Sequence, residues 1–268
     1  GWAIGIQMVF FLLILMLYGM AIYRARRYRL SRTLWRGIRG TLTGSSGSFS
    51  MLYFGAMLLR SMTMGWSTPA MNLNIQQRMI GDMTFGDKSF KFSGRAGPLY
   101  KTYAICWFLT PVIMLLAGAL IAAVVGGTVA GFGGGFDDEA MKEMFKSAGG
   151  VAAIVFATVA VIVAYGVLWT LYTVREMQIF AEYTSFDNAN FQLEATVPSL
   201  IALWLGNIAI FIYTLGIGQP YIVQRTVRYL CARLSVLGTV NVAAIQQSTA
   251  ALDKRGEGLV DAFDIDAF

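Results

Sequence analysis

No charged residue occurs before Arg24, and none lies between Tyr103 and Asp137. Uncharged apolar runs of this length are poorly suited to water. About 20 such residues cross the ~30 Å hydrocarbon core of a bilayer as a helix. Five segments are this long and apolar, all but the second without a charge: residues 3–22, 48–66, 102–127, 149–172 and 199–218. Pro111 lies inside the third and predicts a kink there. Hydrophobic residues make up 56% of the chain and charged residues 13%, which excludes disorder over most of its length. The fold class is therefore mainly α: a polytopic membrane protein with about five hydrophobic helical segments, three of them plain spans. The second and fifth read either as spans or as re-entrant hairpins.

The chain also matches itself at an offset of 151 residues: Arg24 with Arg175, Thr33 with Thr184, Gly55 with Gly206 and Thr84 with Ser235. In the same register, Thr63, Gly65 and Pro69 fall on Thr214, Gly216 and Pro220. This predicts an internal duplication. The expected divisions are a first membrane half at 1–125, a Gly-rich acidic linker at 126–150, a second half at 151–245 and an acidic tail at 246–268. Four polar stretches, 23–44, 71–94, 172–195 and 221–241, separate the apolar segments. Each opens as a continuation of a helix. In several, a Gly or Asn turn then precedes alternating positions such as Phe90-Lys91-Phe92 and Phe191-Gln192-Leu193. Short β-hairpins are expected there.

The halves are inverted if all five segments cross, and parallel if the second and fifth dip in and return. With Arg60 set aside, the parallel arrangement places 18 basic residues on one side and 2 on the other; the inverted one places 14 against 6. Basic residues collect in the cytoplasm, so charge favours the parallel arrangement. Gly55 and Gly206-Asn207, near the midpoints of their segments, are the expected points of reversal. Either arrangement puts residues 23–44 in the cytoplasm.

The absence of histidine removes Ser-His-Asp and Cys-His catalysis and most zinc sites. No cofactor or metal is expected, and the chain does not read as an enzyme. Cys106 and Cys231 form no CxxC pattern and read as small buried hydrophobes. Adjacent Asp137, Asp138 and Glu139 read as helix-start charges rather than as a catalytic cluster.

The strongest candidate is basic. Residues 1–81 hold nine arginines and no acid. Seven of these, Arg24, Arg26, Arg27, Arg29, Arg32, Arg36 and Arg39, are interleaved with Tyr23, Tyr28 and Trp35. Such a cluster orients the first helix, and it also suits anionic lipid headgroups or a protein partner. Nucleic acid is not expected. Arg60 is the one charge within an apolar segment. It reads as a substrate or lipid-phosphate contact, or as a side chain snorkelling to the surface. Gly65, Pro69, Gly216 and Pro220 read as structural hinges. The tail has five acids in its last 16 residues and reads either as a loose terminus or as a segment docked on the basic stretch or a partner.

Three strings, YRARRYRLSRTLWRGIRGTLTGS at 23–45, TMGWSTPAMNLNIQQRMIGDMTFGDKSFKFSG at 63–94 and GEGLVDAFDIDAF at 256–268, resemble the YjgN family of bacterial inner-membrane proteins. The first and last resemble its alphaproteobacterial branch. Pro69-Ala70 and Pro220-Tyr221 stand where the family usually has a PW pair. Members usually begin with a further hairpin–helix unit, and this chain, which starts at Gly1 and shows no leader peptide, is expected to follow one. The resemblance implies an inner-membrane location and supplies no catalytic residues. Two functions remain in view: an accessory or scaffold protein contacting anionic lipid or a larger membrane complex, and a transporter or channel running between the halves.

Overall fold

The first apolar run forms α1 (Trp2–Arg32), which continues unbroken from the lipid-like sequence into the arginines. The computed structural model describes residues 2–131, 142 and 145–247. The expectations for Asp137, Asp138 and Glu139, and for the acidic tail beyond Gln247, lie outside these residues. Two more long helices follow, α4 (Gly97–Gly131) and α5 (Ala148–Glu182). Together with α1 they are the three described helices long and apolar enough to cross a membrane. Pro111 lies within the continuous α4.

The count of membrane-length helices is thus three rather than five. The second and fifth apolar segments are α2 (Ser46–Met62) and α6 (Val197–Tyr213), of 17 residues each. At 1.5 Å per residue each spans about 25 Å, short of the ~30 Å core. Nor does the chain reverse at Gly55 or Gly206-Asn207, which sit inside unbroken helix. A helical glycine costs only about 1 kcal/mol and leaves the hydrogen-bond ladder intact.

Reversal comes just after each helix. Met64 and Gly65 take left-handed conformations (φ +50° and +87°), and the Gly65 amide donates to the Arg60 carbonyl at 2.7 Å. Leu215 and Gly216 have the same φ values, and the Gly216 amide donates to the Phe211 carbonyl at 2.9 Å. This i→i−5 bond through a left-handed glycine is a Schellman-type helix end. The chain then returns as α3 (Thr68–Gly81) and α7 (Gln219–Arg233). Pro69 and Pro220 occupy their first turns, where no amide hydrogen is needed. Both hinge pairs are therefore tips of helical hairpins.

The polar stretches supply one curled antiparallel sheet of seven strands in sequential order. These are β1 (Leu34–Trp35), β2 (Ile38–Leu42), β3 (Met83–Phe85), β4 (Lys88–Phe92), β5 (Thr184–Phe186), β6 (Asn188–Leu193) and β7 (Leu234–Thr239). Hairpins form in three of the four polar stretches. The fourth stretch instead extends as α7 and ends in the single strand β7, which pairs with β6 from Asn188–Thr239 to Leu193–Leu234. A lone hairpin is marginal in water, and joining one ladder removes that weakness. Side-chain alternation makes the sheet two-faced. Phe90 and Phe186 meet at 4.5 Å and Phe90 and Phe191 at 6.3 Å, while Ser89, Lys91 and Asn190 are exposed.

The chain divides into two compact units. One comprises residues 2–97, 177–194 and 230–247 and contains the whole sheet, α1 and the α2–α3 hairpin. Its core is Tyr23, Leu42, Phe49 and Met79. There α2 lies close on α1: Ser50 Oγ donates to the Met16 carbonyl, and a Cβ on Gly19 would already press on Tyr53. Small residues permit such close helix packing in membranes. The other unit comprises 98–131, most of α5, α6 and the greater part of α7. In it, Tyr103 wedges between Trp169 and Tyr172 (centroids 5.6 and 5.0 Å), and buried Cys106 donates to the Leu168 carbonyl at 3.3 Å. Cys231, by contrast, is exposed near the end of α7, so only one cysteine is the buried hydrophobe expected.

Candidate functional site: the arginine end of α1 and the hairpin guanidiniums

Helical spacing distributes the first arginines around α1, so residues adjacent in sequence meet different surroundings. Arg27 turns toward the α2–α3 hairpin, donates to the Gly44 carbonyl and stands 5.2 Å from the centroid of the Tyr23 ring. Tyr23 is fully buried, and its hydroxyl donates to Asp82 Oδ2 at 2.8 Å. Arg78 Nε, one turn back on α3, lies 3.2 Å from the same carboxylate oxygen as an ion pair. The Asp82 carbonyl receives the Thr43 amide at 2.9 Å. Gly44 has no space for a Cβ, which would strike Asp82 and Tyr23. The first acid of the chain is thus spent closing the base of the hairpin against α1.

Beyond them Arg32, Trp35 and Arg36 are exposed, while Arg29 and Arg39 are half-buried. Arg32 lies over Tyr28 at 5.3 Å and Arg36 over Trp35 at 4.9 Å. Trp35 is 47% exposed and also meets Phe85 at 5.9 Å. Arg36 sits in the β1–β2 turn with φ +50° beside Gly37. The Arg39 amide donates to Gln247 Oε1 at 2.9 Å, so the end of the described chain returns to this hairpin. These side chains form a basic, aromatic edge. Arg24 and Arg26 make no hydrogen bond or ion pair among the described residues.

Arg26 departs from the rest. It lines a pocket of about 250 Å³ together with Gln76, Ile80, Phe90, Phe180 and Phe191. The pocket lies between the aromatic face of the sheet and the ends of α1, α3 and α5.

Arg60 is held inside its own hairpin, where Nη2 donates to Asn72 Oδ1 of α3. Sequence reasoning found the arginine and missed the asparagine. It also missed a second guanidinium at hairpin depth. Arg225 Nη1 donates to Asn207 Oδ1 at 3.1 Å and, at 3.5 Å, to the Leu203 carbonyl. Asn207 in turn donates to Thr226 Oγ1 at 3.2 Å. Gly206 leaves no space for a Cβ beside this guanidinium. The available signal was Gly206-Asn207 itself, a small–polar pair in an otherwise apolar run. Both arginines have neutral partners, which suits a setting where an isolated charge is costly.

No curated protein and no solved structure shows significant similarity to the chain. A sequence model of one bacterial family matches residues 2–262, nearly the full length. It supports the family without singling out a branch, and the YjgN family is the same family under another name. The chain belongs to the family described as bacterial protein of unknown function, DUF898.

Proposed function

We propose that the chain is a non-catalytic integral protein of the bacterial inner membrane, an accessory or scaffold subunit that engages anionic lipid through the arginine edge of α1. The observation carrying this reading is the set of exposed Arg32, Trp35 and Arg36 with half-buried Arg29 and Arg39, placed where a membrane-length helix ends. Guanidinium forks suit phosphate, and indole rings suit headgroup depth. A juxtamembrane cluster gains roughly 1 kcal/mol per basic residue on an anionic surface. Contact with a larger membrane complex is part of the same proposal. The inner membrane and an alphaproteobacterial-type branch rest on the resembling strings alone.

A parallel internal duplication underlies the proposed topology. Its support is local. Helices α2 and α6 start at 46 and 197 and end at 62 and 213, both 151 apart, and α3 and α7 start at 68 and 219. The left-handed residues Arg36 and Asp187 keep the same spacing. All four polar stretches contribute strands to one sheet, and open sheet edges are not tolerated in lipid, so these stretches share a side. With α1, α4 and α5 crossing, the two hairpins enter and leave from that side. Its basic excess makes it the cytoplasm.

Native mass spectrometry of the detergent-purified chain tests the lipid reading. Phosphatidylglycerol should be retained in preference to phosphatidylcholine, and a variant with Arg29, Arg32, Arg36 and Arg39 all changed to Gln should lose that preference. Equal retention of both lipids by the unmodified chain would contradict the reading. A transporter is the second reading. Its one specific support is the pair of hairpin guanidiniums whose partners among the described residues are neutral.

A further inference from the structure

We propose that Arg26 and Gln76 form a binding site for a small organic carboxylate, one negative charge on a compact apolar body. The site is separate from the outward arginine edge and does not rest on the lipid reading.

Two polar side chains face this pocket without partners. Neither Arg26 nor Gln76 makes a hydrogen bond or ion pair among the described residues. A half-buried guanidinium with no counter-charge is an expensive thing to leave unsatisfied. A third polar residue at the pocket, Thr184, already donates its hydroxyl to the Phe180 carbonyl at 2.7 Å. The donors left for a ligand are therefore one guanidinium and one carboxamide. They suit a singly charged, planar acceptor, because a guanidinium pairs with a carboxylate through two parallel hydrogen bonds. A phosphate dianion would find too little charge here.

The remaining walls are apolar. Phe90 and Phe191, their rings 6.3 Å apart in a stacked arrangement, line the sheet side, while Ile80 and Phe180 line the helix side. The volume of about 250 Å³ falls below the ~300–1,000 Å³ of pockets for drug-sized molecules. The body of the ligand is accordingly a short alkyl chain or a single aromatic ring. A membrane fatty acid and a water-soluble aryl carboxylate share this chemistry.

The test is isothermal titration of the full chain in nanodiscs of zwitterionic phosphatidylcholine with octanoate, phenylacetate and inorganic phosphate. At least one carboxylate should bind saturably at one site per chain, and phosphate should not. Binding of octanoate alone assigns a membrane source, and binding of phenylacetate alone a soluble one. Arg26→Gln should weaken binding about tenfold or more, the expected loss for a charge-assisted hydrogen bond. Ala181→Leu, which fills the pocket and keeps the arginine, should abolish it, and it decides the matter where Arg26→Gln does not fold. The Arg29/Arg32/Arg36/Arg39→Gln variant should bind the carboxylate normally, so loss of lipid retention and loss of this site are separately visible. Absence of saturable carboxylate binding, equal binding of phosphate, or binding unchanged by Ala181→Leu would each overturn the proposal.

Discussion

The two helical hairpins share a backbone and differ in chemistry. Each has a 17-residue first helix, a left-handed residue–glycine pair at the tip and a proline in the first turn of the returning helix. Each also holds one guanidinium with an asparagine. In α2–α3, however, the arginine is on the outgoing helix near the tip, and in α6–α7 it is on the returning one. The bases differ more. The first is closed by the charged set Tyr23, Asp82 and Arg78 against α1. The second is closed by two neutral hydroxyls, Ser199 and Tyr229, at 2.7 Å. Hairpin geometry therefore follows from the turn and its caps, while the placement of charge is free to vary. The charge network accompanies the hairpin that packs on α1, the helix that carries the arginine edge.

Breaking the bases should give the largest contrast. Asp82→Ala leaves the Tyr23 hydroxyl without its acceptor and Arg78 without its counter-charge. Removing one partner of a fully buried ion pair costs about 3–5 kcal/mol. Arg78 is 41% exposed, so we expect about 2–3 kcal/mol here after allowance for solvent screening. Ser199→Ala removes the neutral hydrogen bonds to Tyr229 and to the Thr196 backbone at the helix cap, and should cost about 1–2 kcal/mol. Thermal unfolding of both variants in one detergent measures the difference, and equal losses would remove the proposed distinction between the bases.

The middle of the hairpins should respond more evenly. Asn72→Leu takes from Arg60, and Asn207→Leu from Arg225, the asparagine acceptor of its guanidinium, at about 1–3 kcal/mol each. Asn207→Leu also removes the bond to Thr226, but Arg225 keeps the Leu203 carbonyl, so the two losses should be similar. A much larger loss for Asn207→Leu would show that the carbonyl contact gives no support. At the tips, Gly65→Ala and Gly216→Ala should each cost about 1 kcal/mol or slightly more, since both demand φ +87°. Melting curves that differ markedly between these two would break the equivalence of the turns.

The smallest effect belongs to the sheet. Lys88 Nζ lies 3.1 Å from Asp187 Oδ1 and holds that carboxyl below its ordinary range, chiefly through the hydrogen bond. A depressed carboxyl stabilises the fold above its unfolded pKa, and the contribution disappears as pH falls through the lower folded value. Asp187→Asn tolerates the left-handed φ of +52° and removes the charge. Its stability should lose this acid-side dependence while the parent retains it; identical pH profiles would dismiss the pair as a contributor.

Much of the frame was legible in the sequence. Uncharged runs marked α1, α4 and α5, and Phe90-Lys91-Phe92 marked a two-faced strand. Reversal was misplaced because glycine suggests flexibility, whereas Gly55 stays helical and Gly65 turns only in company with Met64 and the cap bond to Arg60. The site was harder. Seven arginines in one stretch look alike, and only packing distinguishes Arg26 in the pocket from Arg27 on Gly44. Arg225 was hidden among the arginines of a polar stretch, because its partner Asn207 lies 18 residues earlier in a segment judged by hydropathy alone.

The central claim is that both hairpins are re-entrant and that every strand lies on the arginine side. Single cysteines at exposed Ser89 and Asn190 and at Ser147, in a Cys106→Ala/Cys231→Ser background, test it with a membrane-impermeant thiol reagent. The account predicts labelling of Ser89→Cys and Asn190→Cys only from the cytoplasmic face and of Ser147→Cys only from the opposite face. Labelling of Ser89→Cys and Asn190→Cys from opposite faces would contradict it.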